Sequence, residues 1–408
     1  MNTKIRSLAF TSLSHFSVDG NALLFPVLII YYEEIGLSAF IIGLMPVLYN
    51  LISGALSVYV GSYADRVDKD TLILTLGIFL NGFAAFVFSL PFIFRGEAYE
   101  FLILGSVLLG IGQSIYHPIG ATILSHTYGP KESPSYLGIN GSFGSLGRSA
   151  FPFIVVFIIA LLGNVLGLDL IVVYFLVAAL LIFLGLKFFK RRDYQIKSPV
   201  IQKQPGSSVS IKGAIPAFLV MLVVIVFLRS MFIMSINTYI PSYLVGLFHS
   251  KKIMASVLSF ALIAPVVGQP IFGYLTSKFG GKFTITVTSI GLVIFFVLFL
   301  FLSKGLVTIL VTYTFFAFFA FTGFPVLMGY VSQVVPREKS TSANAMVWGV
   351  GNTLGASTGI FLFDGLHLFT SMYNAFIVLL FFAIVSAVLV IYIPGKAKIS
   401  EIKERDSI

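Results

Sequence analysis

KRRDYQIKSPVIQKQPGSSVSIKG, residues 190–213, is the one long polar run between apolar segments of this chain. Its Lys, Arg, Ser, Pro and Gly content reads as a flexible, solvated linker. On both sides the sequence turns apolar for nearly two hundred residues. Of 408 residues 58% are hydrophobic and 10% charged, with a mean hydropathy of +1.00. Soluble domains carry roughly 25% charged residues. No soluble fold buries so much apolar surface, so the chain reads as a polytopic membrane protein. The first apolar segment is too long for a signal-peptide core and lacks a small-residue cleavage site, so it is expected to be retained.

A transmembrane helix needs about 20 mostly apolar residues. Twelve segments qualify, at about 7–31, 38–62, 71–94, 101–126, 135–162, 168–189, 214–246, 252–277, 283–303, 306–333, 340–365 and 371–394. The expected division is a six-helix bundle over 1–190, the linker 191–213, a second six-helix bundle over 214–395 and a tail over 396–408. With the N-terminus placed in the cytoplasm, the inside segments hold 20 Lys and Arg residues and the outside segments 4. That bias places both termini and the linker in the cytoplasm. It also accounts for the net charge of +10 without a nucleic-acid partner. There is no cysteine, and so no disulfide framework.

The two halves read as a diverged repeat. GSYADRVDKDT (61–71) returns as GYLTSKFGGKFT (273–284), Tyr116-His117-Pro118 as Gly323-Phe324-Pro325, and Ser145-Leu146-Gly147 as Thr353-Leu354-Gly355, at offsets of 207 to 212. Two such repeats with solute bound between them at mid-membrane form a transporter architecture.

Ionisable side chains at mid-membrane are costly and functional by default. Asp19, Arg148 and Arg229 fall near the middles of the first, fifth and seventh segments. An apolar surround disfavours a charged Asp19 and a nearby arginine favours it; a proton-coupling site needs that competition. The alternative is a fixed Asp19–Arg148 pair that holds the bundle together. His15 lies one turn before Asp19 on the same helix face and His117 lies on the fourth segment. Either can relay a proton or simply pack. Two cavity-facing guanidinium groups suit an anionic substrate; alternatively Arg229 is satisfied by backbone carbonyls and water. Asn344, Trp348 and Asn352 recur every four residues on one helical face. Trp348, away from the interface belt, either meets substrate or fills a gap between bundles. Gln113, Asn237 and Gln269 add amides to this lining. The glycines at 138, 141, 144 and 147 allow close helix contact. Pro26, Pro118, Pro241, Pro265, Pro270 and Pro325 can bend helices. No nucleotide loop, metal-ligand cluster or activated nucleophile is evident, so neither a cofactor nor an enzymatic activity is expected.

GSYADRVDKD resembles the signature loop of the major facilitator superfamily, G-x-x-x-D-R-x-G-R followed by R or K. Gly61, Asp65 and Arg66 match; Asp68, Lys69 and Asp70 depart from it. The resemblance implies an all-α membrane protein of twelve transmembrane helices in two pseudo-symmetric six-helix bundles, a monomer in the cell membrane. It implies that the first, fourth, seventh and tenth helices line a central cavity. It also implies that Gly61, Asp65 and Arg66 form a cytoplasmic latch, where the charges would otherwise only set topology. His15, Phe16 and Asp19, with Tyr116, His117, Pro118 and Gly120, resemble patterns of the fosmidomycin-resistance group of drug/proton antiporters. The fifth segment lacks the G-x-x-x-G-P-x-x-G-G pattern of many drug antiporters. The expected function is proton-coupled transport of a small organic solute by alternating access, with Asp19 carrying the proton, in the direction of efflux by antiport. Symport of an organic anion through Arg148 and Arg229, an uncoupled facilitator, a lipid flippase and a receptor are the alternatives.

Overall fold

A computed structural model of the chain describes residues 2–190, 217–302, 305–334, 343 and 346–395. The linker, the tail and Asn344 lie outside the described residues, as do the side chains of Asp65 and Arg66. Among the described residues eleven helices are long and apolar enough to cross a membrane, and a shorter apolar helix, Leu306–Ala320, stands between the ninth and tenth of them. With its continuation Gly323–Val334 this makes the twelfth crossing. The first half comprises α1 (Thr3–Glu34), α2 (Ala39–Val67), α3 (Asp70–Phe92), α4 (Ala98–Gly129), α5 (Ser135–Leu162) and α6 (Asn164–Leu186). The second comprises α7 (Ala217–Phe248), α8 (Lys251–Phe279), α9 (Gly281–Leu302), α10 (Leu306–Ala320 and Gly323–Val334), α11 (Met346–His367) and α12 (Met372–Tyr392). Each half holds six crossings, as the repeat predicts. Gly129 ends α4 at φ 72°, a left-handed conformation that favours glycine.

Among the described residues three crossings are interrupted, each within four residues of a proline in the sequence. The chain turns at Ala22–Leu23 in α1, at Leu262–Ile263 in α8 and at Phe321–Thr322 in α10. Pro26, Pro265 and Pro325 follow within four residues. Proline has no N–H for the carbonyl four residues back, and its ring crowds that carbonyl. Pro118, Pro241 and Pro270 lie in uninterrupted helix instead. Residues 346–354 of α11 wind as a π-helix, in which Thr353 Oγ1 donates to the Trp348 carbonyl at 3.1 Å. The wider turn breaks the four-residue register read from the sequence between Trp348 and Asn352.

Arg229 belongs to this backbone problem. It is 5% exposed and points from α7 into the C-terminal bundle. One terminal nitrogen donates to Ser289 Oγ (2.9 Å) and Thr288 Oγ1 (3.3 Å) on α9. The other donates to the carbonyls of Phe319 (3.0 Å) and Ala320 (3.5 Å), the last before the α10 break. The negative end of a helix serves as its counter-charge.

Within the first half α5 packs along α1, and across the halves α5 meets α8 while α2 meets α11. Glycine sets the α1–α5 spacing. A Cβ on Gly147 would collide with the Phe16 carbonyl, one on Gly144 with His15 and Asp19, and one on Gly20 with the Phe151 ring. Gly141 faces Gln269 of α8, whereas Gly138 has open space. Inter-half contacts run from the face remote from the termini, where Lys251 bonds Glu34 at 2.5 Å and lies over the Tyr31 ring, to Gly54–Thr353 and Gly141–Gln269. Nearer the termini Tyr59, Tyr63 and Tyr274 are exposed and a Cβ on Gly273 would meet nothing. Among the described residues the halves therefore meet at the remote face and part toward the termini.

Two stability outcomes follow, each read as a thermal unfolding midpoint in detergent. Gly147→Ala lowers it, because a backbone carbonyl must move, while Gly138→Ala changes stability by no more than about 1 kcal/mol, in the stabilising direction that helix propensity sets. Arg229→Met lowers it too, with a loss of stability of roughly 2 kcal/mol, since charge-assisted hydrogen bonds to buried carbonyls and hydroxyls are lost.

Candidate functional site

Asp19 sits on the last full turn of α1 before the break, 5% exposed. Three cationic or titratable groups converge on it. Arg148 Nη1 of α5 lies 2.5 Å from Oδ2, His15 Nε2 3.2 Å from the same oxygen, and His117 Nε2 of α4 3.7 Å from Oδ1. The i,i+4 spacing places His15 beside Asp19 and the depth of the charges places Arg148 level with it, whereas Arg229, at the same depth, stays away and His117 takes its place. The convergence requires the glycine-lined approach of α5, because any side chain at 144 would occupy the space His15 and Asp19 use.

Around this core lies a polar layer that sequence reasoning missed. Asn140 of α5, buried, accepts through Oδ1 from the Tyr116 hydroxyl (2.7 Å) and pairs with His15 Nδ1 (2.8 Å). Its amide nitrogen donates to Thr11 Oγ1 (3.4 Å) and Ser12 Oγ (3.3 Å). Thr11 spends its own hydrogen on the Ser7 carbonyl at 2.7 Å, so toward Asn140 it can only accept. That orients the amide, and an amide oxygen facing Nδ1 requires Nδ1 to carry the hydrogen. His15 therefore presents Nε2 to Asp19 in one of two ways. With a proton shared between Nε2 and Oδ2 the contact is a charge-assisted hydrogen bond. Without it, two lone pairs face each other. The clue in the sequence was an asparagine two turns before Arg148 on α5, an expensive side chain in an apolar helix.

The cluster reaches the second half at three points. Ser145 Oγ accepts from Arg148 Nη2 (3.1 Å) and from Gln269 Nε2 of α8 (2.5 Å). The ring of His117 lies 5.6 Å from that of Trp348 on α11, and the Arg148 guanidinium lies over the Phe321 ring beside the α10 break. Gln269 and Trp348 thus adjoin the charged cluster. Gln113 does not: its amide donates to the Val18 carbonyl (2.8 Å) and to Asn81 (3.3 Å), inside the first bundle. Arg229 is turned away as described, so the paired-guanidinium anion site is not formed. Asn352 accepts from Ser230 on α7 at 2.8 Å, and Asn237 is buried on α7. Of the expected latch, Gly61 lies near Pro118, and Asn344 falls outside the described residues. Among the described residues no group of three His, Cys, Asp or Glu can hold a metal.

Known proteins share this architecture. The chain is 24% identical over 350 residues to the fosmidomycin resistance protein of Escherichia coli (strain K12), covering 82% of this chain and 80% of that one. Its fold matches the crystal structure of a D-xylose-proton symporter with a TM-score of 0.75 at 16% identity, over 97% of this chain and 98% of that one. It matches a mutant of the nucleoside transporter NupG with a TM-score of 0.73 at 14% identity, over 96% and 100%. The Major Facilitator Superfamily profile matches residues 10–347 and 222–407. A twelve-crossing chain with these relatives is a membrane transporter rather than an enzyme, and it belongs to the major facilitator superfamily.

Proposed function

We propose that the chain is a proton-coupled secondary transporter in which the Asp19–His15 pair carries the proton, and that it exports a small organic solute by antiport. The observation that supports this best is the unshared lone-pair contact that Nε2 and Oδ2 would make without a proton, 3.2 Å apart. A fixed structural ion pair needs only Arg148; it does not need a histidine whose tautomer is set by Asn140. Arg148 competes with the proton for Oδ2, and it is tied through Ser145 to Gln269 on the opposite half. Proton arrival thereby bears on the α5–α8 contact, which alternating access must make and break.

Export rather than anion symport is favoured because Arg229 is committed to the α10 carbonyls, leaving Arg148 as the site's one guanidinium among the described residues. The relative that carries a drug-resistance name points the same way. In this reading Trp348 and His117 form an aromatic wall for the solute, with Asn237 and Asn352 along α7 and α11. Gly61, Asp65 and Arg66 close the terminal face in the opposite state. The six-helix units over 1–190 and 214–395 rock about the cluster, joined by 191–213.

The test is proton movement in proteoliposomes loaded with a pH-sensitive dye, with a panel of organic anions, amphipathic cations and fosmidomycin offered as solutes. Wild type should show a solute-dependent pH change that disappears in Asp19→Asn. Equal solute flux in both proteins, with no pH change, would make the chain a facilitator and Asp19 a structural partner of Arg148. A pH change that dissipates the gradient only as an anion enters would mean symport.

Asn140→Leu tests the tautomer argument separately. Freed at Nδ1, neutral His15 can present Nε2–H to the carboxylate, which relieves the unprotonated state. The pH profile of transport should move toward acid, by about one pH unit for a hydrogen bond's worth of about 1.4 kcal/mol. An unchanged profile would reject the argument.

A further inference from the structure

The remote face holds a second carboxyl group with no role in the cluster above. Asp364 of α11 is 3% exposed, as is Tyr239 of α7. Asp364 Oδ1 and the Tyr239 hydroxyl converge on the backbone of Gly43 in α2; a Cβ there would strike both. The ring of Tyr239 stacks on Phe363 at 4.1 Å. The two polar groups of one half are thus pressed against a bare stretch of the other. Asp364 Oδ2 is buried without a hydrogen-bond partner. Among the described residues no lysine, arginine or histidine nitrogen lies within ion-pair distance of Asp364.

The other titratable groups facing this point do not supply a positive charge. Tyr49 of α2 and Glu33 of α1 lie near Tyr239. His367, one turn on along α11, has its Nδ1 engaged with the Thr370 carbonyl at 3.1 Å. Lys251 is held by Glu34 at the rim. A carboxylate buried with no counter-charge is far costlier than a buried carboxylic acid, even one whose hydroxyl lacks an acceptor.

We infer that Asp364 is a second proton-binding site, set in the contact that closes the remote face, and that this face closes only once Asp364 is protonated. When α2 withdraws from α11, water reaches the carboxyl and it ionises. When α2 returns, Gly43 seats against it and the proton must be in place. This proton is taken up from and returned to the same side, so it is not transported; it makes closure depend on the pH of that side. The closed state holds one more proton than the open state, so closure strengthens as pH falls. The inference rests on alternating access but not on Asp19 as the carrier.

The chain has no cysteine, which allows site-directed spin labels on the full-length protein. Arg95→Cys and Phe369→Cys place one label on each half at exposed positions of the remote face. Their distance distribution would be measured in lipid nanodiscs across pH, in an Asp19→Asn background that removes the first site. The closed-to-open ratio should change by up to about tenfold per pH unit, the slope of one proton. In Asp364→Asn, and independently in Asp364→Leu, the ratio should become flat with pH and favour the closed form. Glu34→Gln, which alters only the rim, should leave the slope in place. A pH response that survives in either Asp364 variant, or its absence when Asp364 is intact, would overturn the proposal.

Discussion

A carboxylate and a guanidinium buried at mid-membrane are each costly alone, and side by side each replaces, for the other, part of the water both have lost. The pairing of Asp19 with Arg148 demands that α1 and α5 approach more closely than helices with ordinary side chains allow. Gly20, Gly144 and Gly147 permit that approach. Once α5 is drawn in, Asn140 reaches His15, Ser145 reaches Gln269, and the α5–α8 seam falls in line with the charged cluster. The position of the inter-half contact is thus a consequence of one ion pair and three missing side chains.

The repeat puts Arg229 at the place Asp19 occupies in the first half, 210 residues later. The two positions have diverged to opposite charge and opposite purpose. Asp19 faces α5 and the seam; Arg229 faces inward and stitches the broken α10. In the first half Gln113 on α4 reaches across to α1 and gives a second donor to the Val18 carbonyl, which already accepts from the Ala22 N–H at 3.1 Å. The paired inner helices have exchanged tasks: α4 supports α1, whereas α7 supports α10. A break in a membrane helix leaves carbonyls that lipid cannot satisfy, and the second bundle recruits Arg229 for those at the end of the first part of α10.

This explains what the sequence could and could not say. Hydropathy and the repeat carry the twelve crossings, because a lipid-exposed helix must be apolar over a fixed length. Charge at mid-depth marks Asp19, His15, His117 and Arg148, because such groups cannot be placed there without partners. The direction of a side chain around its helix is less legible. Arg229 looks like a cavity residue until the break in α10 is seen to need donors, and Gln113 until its amide is seen to tie α4 to α1. The π-turns of α11 rotate Asn352 onto Ser230 and Trp348 toward His117, which a 3.6-residue period cannot foretell. Asn140 and Ser145 are small polar residues among many; only a fold that brings them to His15 and Gln269 gives them meaning.

If proton and solute are coupled as proposed, Ser145 sets a ceiling on the fidelity of that coupling. Its single hydroxyl is the hydrogen-bonded link from Arg148 to Gln269. A charge-assisted hydrogen bond contributes roughly 1.5–3 kcal/mol. A linkage of that size biases the loaded over the unloaded conformational change by only about ten- to hundredfold. A machine joined in this way slips. Some fraction of its turnovers would cross the membrane with only one of the two cargoes aboard, and the gradient such a protein sustains would be limited by leak before it was limited by the proton supply.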